Sequence, residues 1–165
     1  MIPMLVLLVA SVGSVTYISF QTLNYLNYYA ALSQVAVEVQ DLSVMPPSQS
    51  NITVTITFAV FNPTSYMGLL VHSIPYMAKL PSEGTLVLIA SPAANSKGQG
   101  EPLGAHSSIR LSSDFVLTGL AMKQFQELCA TSQNALTWII DANLVLGTRD
   151  GDLSPQFELS PTSSC

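Results

Sequence analysis

Charged residues are scarce in this chain. Asp, Glu, Lys and Arg together make up 9% of its 165 residues, against about 25% in average soluble domains. Five Lys and Arg stand against ten Asp and Glu, which gives a net charge of −5. Nucleic-acid binding is not expected, because it depends on neutralising phosphates with basic side chains. A low charge combined with many Ser and Thr residues favours a surface outside the cytoplasm.

Residues that commonly carry chemistry are few as well. The two histidines, His72 and His106, have no Asp or Cys at metal-ligand spacing, so a structural or exposed role is expected for both. No nucleophile elbow, phosphate loop or calcium loop is present in the sequence. We therefore expect a protein that is not an enzyme, with no catalytic residues, cofactor, metal or small-molecule substrate.

Two further sites concern covalent modification. Cys129 and Cys165 lie 36 residues apart and could either form one disulfide that pins the C-terminus or remain free thiols. Their spacing does not fit a zinc site. Asn51 begins the triplet Asn-Ile-Thr and is an N-glycosylation acceptor in a secreted chain.

The N-terminal segment contains no charged residue before Glu38. The stretch Met4–Val35 has no interior proline, which predicts one continuous helix about 48 Å long with a gentle bend near Gly13. Its first half is as apolar as a membrane span, whereas its second half is rich in amides and tyrosines. Six of these polar or aromatic residues are predicted to form an assembly surface along the helix: Tyr17, Gln21, Asn24, Tyr25, Tyr28 and Tyr29.

Two environments suit such a helix. It could span a membrane and rise out of it as a stalk, or pack against copies of itself in a filament core. In the second case Asn24 and Tyr28 would contact a neighbouring copy, and Gly13 with its small neighbours would let the helices approach closely. An uncharged helix followed directly by a β domain resembles archaeal type IV pilins. That resemblance implies an extracellular filament with helices inside and β domains outside.

The chain after the helix has the pattern of a β domain, and we divide the protein into residues 1–36 and 37–165. The stretch "NITVTITFAVF" alternates apolar and polar residues and ends at Asn62-Pro63. The stretch "MGLLVHSIPYMAKLP" predicts one or two strands interrupted by Pro75, and Asp150-Gly151 predicts a hairpin turn. About seven short strands and one short helix predict an all-β antiparallel sandwich, immunoglobulin-like, behind the long N-terminal helix. The predicted core comprises Val54, Ile56, Phe58, Val60, Phe115, Leu117, Trp138, Ile140, Leu144 and Leu146.

The β domain also resembles the water-stress-and-hypersensitive-response (WHy) domain of late-embryogenesis-abundant proteins. The similarity rests on the alternating strand, Asn62-Pro63, the following "IPY" run, the single helix "GLAMKQFQEL" and the closing hairpin. It implies a small sandwich without an active site, which in many members is tethered by a membrane helix and linked to stress protection at lipid or protein surfaces.

Three functional hypotheses follow. The protein is a filament subunit, a single-span membrane-anchored stress or binding domain, or an accessory subunit of a membrane complex. In each case its partners are copies of itself or a membrane, and its domain is expected at the cell surface.

Overall fold

A computed structural model describes residues 2–45, 51–82, 84–132, 135–148 and 151–165. It has two helices, α1 (Ile2–Leu32) and α2 (Gly119–Thr131). α1 is continuous, as predicted, but it ends before Val35. Val35 and Val37 are both buried in the β domain, so the chain already follows strand alternation at this point.

The described residues also contain thirteen strands. They are β1 (Ala36–Val44), β2 (Ile52–Asn62), β3 (Leu69–Ser82), β4 (Thr85–Ala90), β5 (Ala93–Asn95), β6 (Glu101–Leu103), β7 (Ser107–Leu117), β8 (Ala135–Thr137), β9 (Ile139–Asn143), β10 (Val145–Thr148), β11 (Gly151–Leu153), β12 (Gln156–Leu159) and β13 (Thr162–Ser164).

The first sheet has the order β1-β2-β7 and is antiparallel throughout. β2 and β7 pair without interruption from Ile52 opposite Leu117 to Asn62 opposite Ser107. The period-two alternation of both strands turns one face of this sheet inward, where Phe58 is fully buried.

The second sheet is built around β3. One flank of β3 pairs with β10 and then β9, and the other flank pairs with β6, β5 and β4. β11 and β12 pair in turn with β10 and β9. The predicted closing hairpin is therefore present, with Thr148 opposite Gly151; the predicted turn residue Asp150 lies outside the described residues.

Two prolines are accommodated inside the single strand β3, which the sequence left as one strand or two. Tyr76 donates its N–H to the Pro92 carbonyl at 3.0 Å, on the β4–β6 flank. Since successive residues face alternate flanks, Pro75 and Pro81 face the β9–β10 flank. The β9 ladder covers Tyr76–Lys79 and the β10 ladder lies before Pro75. Neither proline therefore removes a ladder hydrogen bond.

The two sheets enclose one core. Phe58 of the first sheet and Tyr76 of the second meet with ring centroids 5.0 Å apart. All ten residues predicted for the core are buried. α2 adds Phe125, whose ring lies 5.9 Å from that of Trp138. The Trp138 indole N–H donates to Ser163 Oγ at 2.9 Å, which satisfies the buried donor.

The C-terminus is fastened at two places. β13 pairs with β8 in a small ribbon of its own. Cys129 of α2 and Cys165 form a disulfide with their Cα atoms 5.7 Å apart. A bridge that closes a loop of this length stabilises the fold mainly by restricting the unfolded chain.

Candidate functional site

The surface of α1 is apolar, uncharged and open to solvent. Every residue from 9 to 27 is exposed, so this part of the helix stands clear of the β domain. Helices that are apolar on all sides are normally buried. The large apolar side chains exposed on this surface are Leu7, Val9, Val12, Val15, Tyr17, Ile18, Phe20, Leu23, Tyr25, Leu26 and Tyr29. Within the described residues, none of the helices combines the length and apolarity needed to cross a membrane.

Three hydroxyls of α1 are satisfied within the helix. Ser14 donates to the Ala10 carbonyl at 2.8 Å, and Thr16 donates to the Val12 carbonyl at the same distance. Thr22 donates to the Ile18 carbonyl at 2.9 Å. These side chains could therefore enter a dry interface without leaving a donor unpaired.

Three side-chain amides lie on the exposed surface of α1. Gln21, Asn24 and Asn27 are all exposed. Each carboxamide has two donor hydrogens and an oxygen that can accept two hydrogen bonds. Close to them, the Tyr25 hydroxyl donates to the Tyr29 hydroxyl at 3.0 Å, and both rings stay largely exposed.

The end of α1 is packed on the β domain. Tyr28, Ala31 and Val35 are exposed by 5%, 1% and 6%. The Tyr28 ring lies 5.9 Å from the ring of Tyr66, in the loop that follows β2. The sequence-based prediction that Tyr28, with Asn24, contacts a neighbouring copy is corrected by this packing. Tyr28 joins the helix to its own domain.

The loop under Tyr28 is held by the side chain of Asn62, which is fully buried. Its Nδ2 donates to the carbonyls of Tyr66 and Gly104, at 2.8 and 2.9 Å. Its Oδ1 accepts from the backbone N–H and the hydroxyl of Thr64, at 3.0 and 2.7 Å. All four hydrogen-bonding positions of the amide are used, so the loop has one strongly preferred conformation.

An open groove of about 580 Å³ lies between the end of α1 and this loop. Asn24, Asn27 and Gln34 line it from the helix, and residues 64–68 line it from the loop. None of its lining residues is charged. The groove continues the uncharged surface of α1 onto the β domain.

Other predicted sites lie elsewhere. The His72 ring packs between two glycines: a Cβ on Gly147 would overlap its Nε2, and a Cβ on Gly100 would lie 2.9 Å from its Nδ1. His106 is exposed. Among the described residues, no group of three His, Cys, Asp or Glu is placed to hold a metal ion. Asn51 is half-buried directly before β2.

Sequence reasoning missed the role of Asn62. The Asn62-Pro63 pair predicted a turn, but the carbonyl of Gly104 is 42 positions away in the chain. No local pattern indicates that contact. An asparagine next to a strand end was the sole available signal.

No protein family and no curated protein sequence matches this chain. Solved structures share its fold at low sequence identity. A protein from Arabidopsis thaliana is 11% identical with a TM-score of 0.57, over 78% of this chain and 80% of that protein. A putative late embryogenesis abundant (LEA) protein is 15% identical with a TM-score of 0.52, over 83% of this chain and 74% of that protein. A protein from Archaeoglobus fulgidus is 12% identical with a TM-score of 0.50, over 79% and 95%.

These similarities concern the fold alone. They agree with the expected LEA-type β domain and carry no information on activity or partners. The pilin-like character of α1 stays a prediction.

Proposed function

We propose that this protein is a non-catalytic structural subunit that assembles with copies of itself through α1, in a filament at the cell surface. The observation that carries this proposal is the long, uncharged and apolar stretch of α1 that its own domain leaves exposed. Burying one large apolar side chain is favourable by roughly 1.5–3 kcal/mol. A partner surface along this helix would therefore be strongly stabilising.

The polar groups of α1 favour a protein partner over hydrocarbon. In lipid, Gln21, Asn24 and Asn27 would carry unsatisfied amides unless they lay at the headgroups. A second α1 supplies carboxamides that both donate and accept, so the same residues can pair across helices. The α1 surfaces carry no charged side chains, so two packed helices do not repel each other through side-chain charges.

Small residues suit close packing of such helices. A Cβ on Gly13 would meet no atom within 4 Å, so a neighbouring backbone has access there. Ser14 adds little bulk, and its hydroxyl is already bonded within the helix. Close helix contacts through small residues are a common way to pack helices that lack charged side chains.

The junction between α1 and the β domain gives the subunit a defined shape. Tyr28 against Tyr66 and the buried Asn62 amide fix the domain at the C-terminal end of the helix. In an assembly with the helices inside, this arrangement would place every β domain on the outside.

A second candidate is supported by the fold of the β domain. That fold is shared with a putative LEA protein. As an accessory subunit of a membrane complex, held to that complex through α1, a WHy-type domain would use the outer surface of the sandwich to meet lipids or client proteins.

The test compares Asn24→Leu with Asn95→Leu. Asn95 is an exposed asparagine of the β domain, so its substitution serves as the matched control. We expect Asn24→Leu to change the length or number of assemblies seen by electron microscopy and sedimentation, while the circular dichroism of the domain is unchanged. Asn95→Leu should assemble as the native protein does. Native material that is monomeric in detergent, and that Asn24→Leu does not affect, would leave the accessory subunit as the better explanation.

A further inference from the structure

One outer strand of the second sheet has no charged residue and no proline to protect its edge, and its register shift is confined to one end. Edge strands are normally blunted by charges, prolines or bulges, because their free N–H and C=O groups can pair with another chain. β1 has Glu38, Asp41 and a bulge between Val39 and Asp41, and β12 has Glu158. β4, with the sequence "TLVLIA", contains no charge and no proline.

β4 pairs with β3 on one flank, and within the described residues no strand pairs with its other flank. The pairing is regular from Thr85 to Leu88, and the register shifts beyond that point. This regular stretch is long enough to accept a short added strand.

The orientation of the β4 backbone follows from that of β3. Even-numbered residues of β3 direct their N–H and C=O groups toward β4, as the Tyr76 hydrogen bond shows. Leu80 opposite Val87 is therefore a hydrogen-bonded pair. Leu86 and Leu88 alternate with Val87, so their N–H and C=O groups point to the free edge.

The side chains of β4 divide between two faces. Leu86 and Leu88 are exposed by 53% and 54% on one face. Val87 lies on the other face, in a groove of about 280 Å³ against α2 that Leu128 and Glu127 also line. An added strand would thus cover Leu86 and Leu88 on one face and place a side chain next to Val87 on the other.

We propose that a second copy of this chain adds its own β4 to this edge, antiparallel, with Val87 opposite Val87. In this register Leu86 of each copy faces Leu88 of the other, and the edge-facing groups of both residues form the narrow hydrogen-bonded pairs. Four leucines then cluster on one face, and the two Val87 side chains meet between the α2 grooves. The contact is isologous, as a two-fold dimer requires.

A second copy fits this edge because the edge is complementary to itself. The paired residues are uncharged, so two copies meet without like-charge repulsion across the strands. The pairing involves neither α1 nor its groove, and it is independent of the assembly proposed above.

The register is tested by cysteine cross-linking of the full chain in detergent under mild oxidation. Residues opposite each other in a non-hydrogen-bonded pair approach to about 4.5 Å between Cα atoms, which suits a disulfide. Val87→Cys should therefore yield a covalent dimer on a non-reducing gel. Leu86→Cys is the matched control, because it faces Leu88 and should yield little dimer. Equal cross-linking at both positions, or none at Val87→Cys, would overturn the proposed register.

Charge pairing provides a second measurement in the Val87→Cys background. Adding Leu86→Lys with Leu88→Glu places Lys opposite Glu in both pairs, and the cross-linked dimer should persist. Adding Leu86→Lys with Leu88→Lys places like charges opposite each other, and the dimer should be lost. If both double variants behave alike, the edge pairing is wrong. Filaments that persist without any β4 cross-link would reject this inference and leave the proposed function standing.

Discussion

The ring of Tyr28 on α1 lies 5.9 Å from the ring of Tyr66, with an interplanar angle of 49°. The Tyr66 backbone carbonyl is in turn held by the Asn62 side chain. The direction in which the helix leaves the domain therefore depends on one buried amide at the end of β2.

Asn62→Ala should destabilise the fold and loosen this junction. It leaves the Tyr66 carbonyl and the Thr64 N–H without their Asn62 partner, and each buried group left unsatisfied costs about 1–3 kcal/mol. The Gly104 carbonyl still accepts from the Ser107 hydroxyl. Urea unfolding should show a lower free energy of unfolding, and hydrogen exchange at the Thr64 amide should become faster. Asn95→Ala, at an exposed position, should change neither; an equal loss in both variants would contradict the proposed role of Asn62.

Phe58→Ala and Phe61→Ala on the same strand should differ sharply. Phe58 is fully buried against Tyr76, and its truncation should cost about 3–5 kcal/mol by creating a cavity. Phe61 lies on the opposite face of β2 and is 43% exposed, so its truncation should cost far less. Thermal unfolding followed by circular dichroism gives both values. Similar losses would mean that the inward face of β2 has been misassigned.

Gly147→Ala should be destabilising through His72. The added methyl overlaps the imidazole ring, and forcing an extra carbon into a packed site costs roughly 1–3 kcal/mol. His72→Ala combined with Gly147→Ala should recover much of the loss, because the obstructing ring is gone. A double variant as unstable as the sum of the two single variants would show that the ring is not the cause.

Stability at alkaline pH should depend on Tyr76. Burial raises the pKa of its phenol above the ordinary value, the Asp114 charge acts in the same direction, and the Ser113 hydroxyl acts against it. In the unfolded chain Tyr76 ionises near pH 10, whereas in the folded chain it keeps its proton to higher pH. The unfolded state then binds fewer protons, so the free energy of unfolding falls as pH rises past about 10.

The measurement is urea unfolding of the native protein and Tyr76→Phe between about pH 8 and 11. Tyr76→Phe should lose stability less steeply over this range. Tyr17→Phe, on the exposed surface of α1, should keep the native slope. Parallel slopes for the native protein and Tyr76→Phe would mean that another group is responsible.

Short-range pattern was sufficient for the helix and for the core. The lack of charge and interior proline predicted α1, and alternation placed Phe58 and its neighbours inward, since side chains on a strand face opposite sides at successive residues. The turn signal at Asn62-Pro63 ended β2 where the structure does. These properties are local: each depends on residues within a few positions of one another.

Long-range contacts determined the features of the fold and of the candidate site that the sequence did not predict. The sequence could not place Tyr28 on Tyr66, join Asn62 to the carbonyl of Gly104, or show that Pro75 faces a gap between two ladders. It could not single out β4 as the unprotected edge either, since its apolar run equally suits a strand with neighbours on both sides. Each of these depends on which distant segment lies alongside, and that is determined by the packing of the two sheets as a whole. The sequence predicted the uncharged surface of α1. Only the tertiary structure shows that the β domain begins to cover the helix at Tyr28.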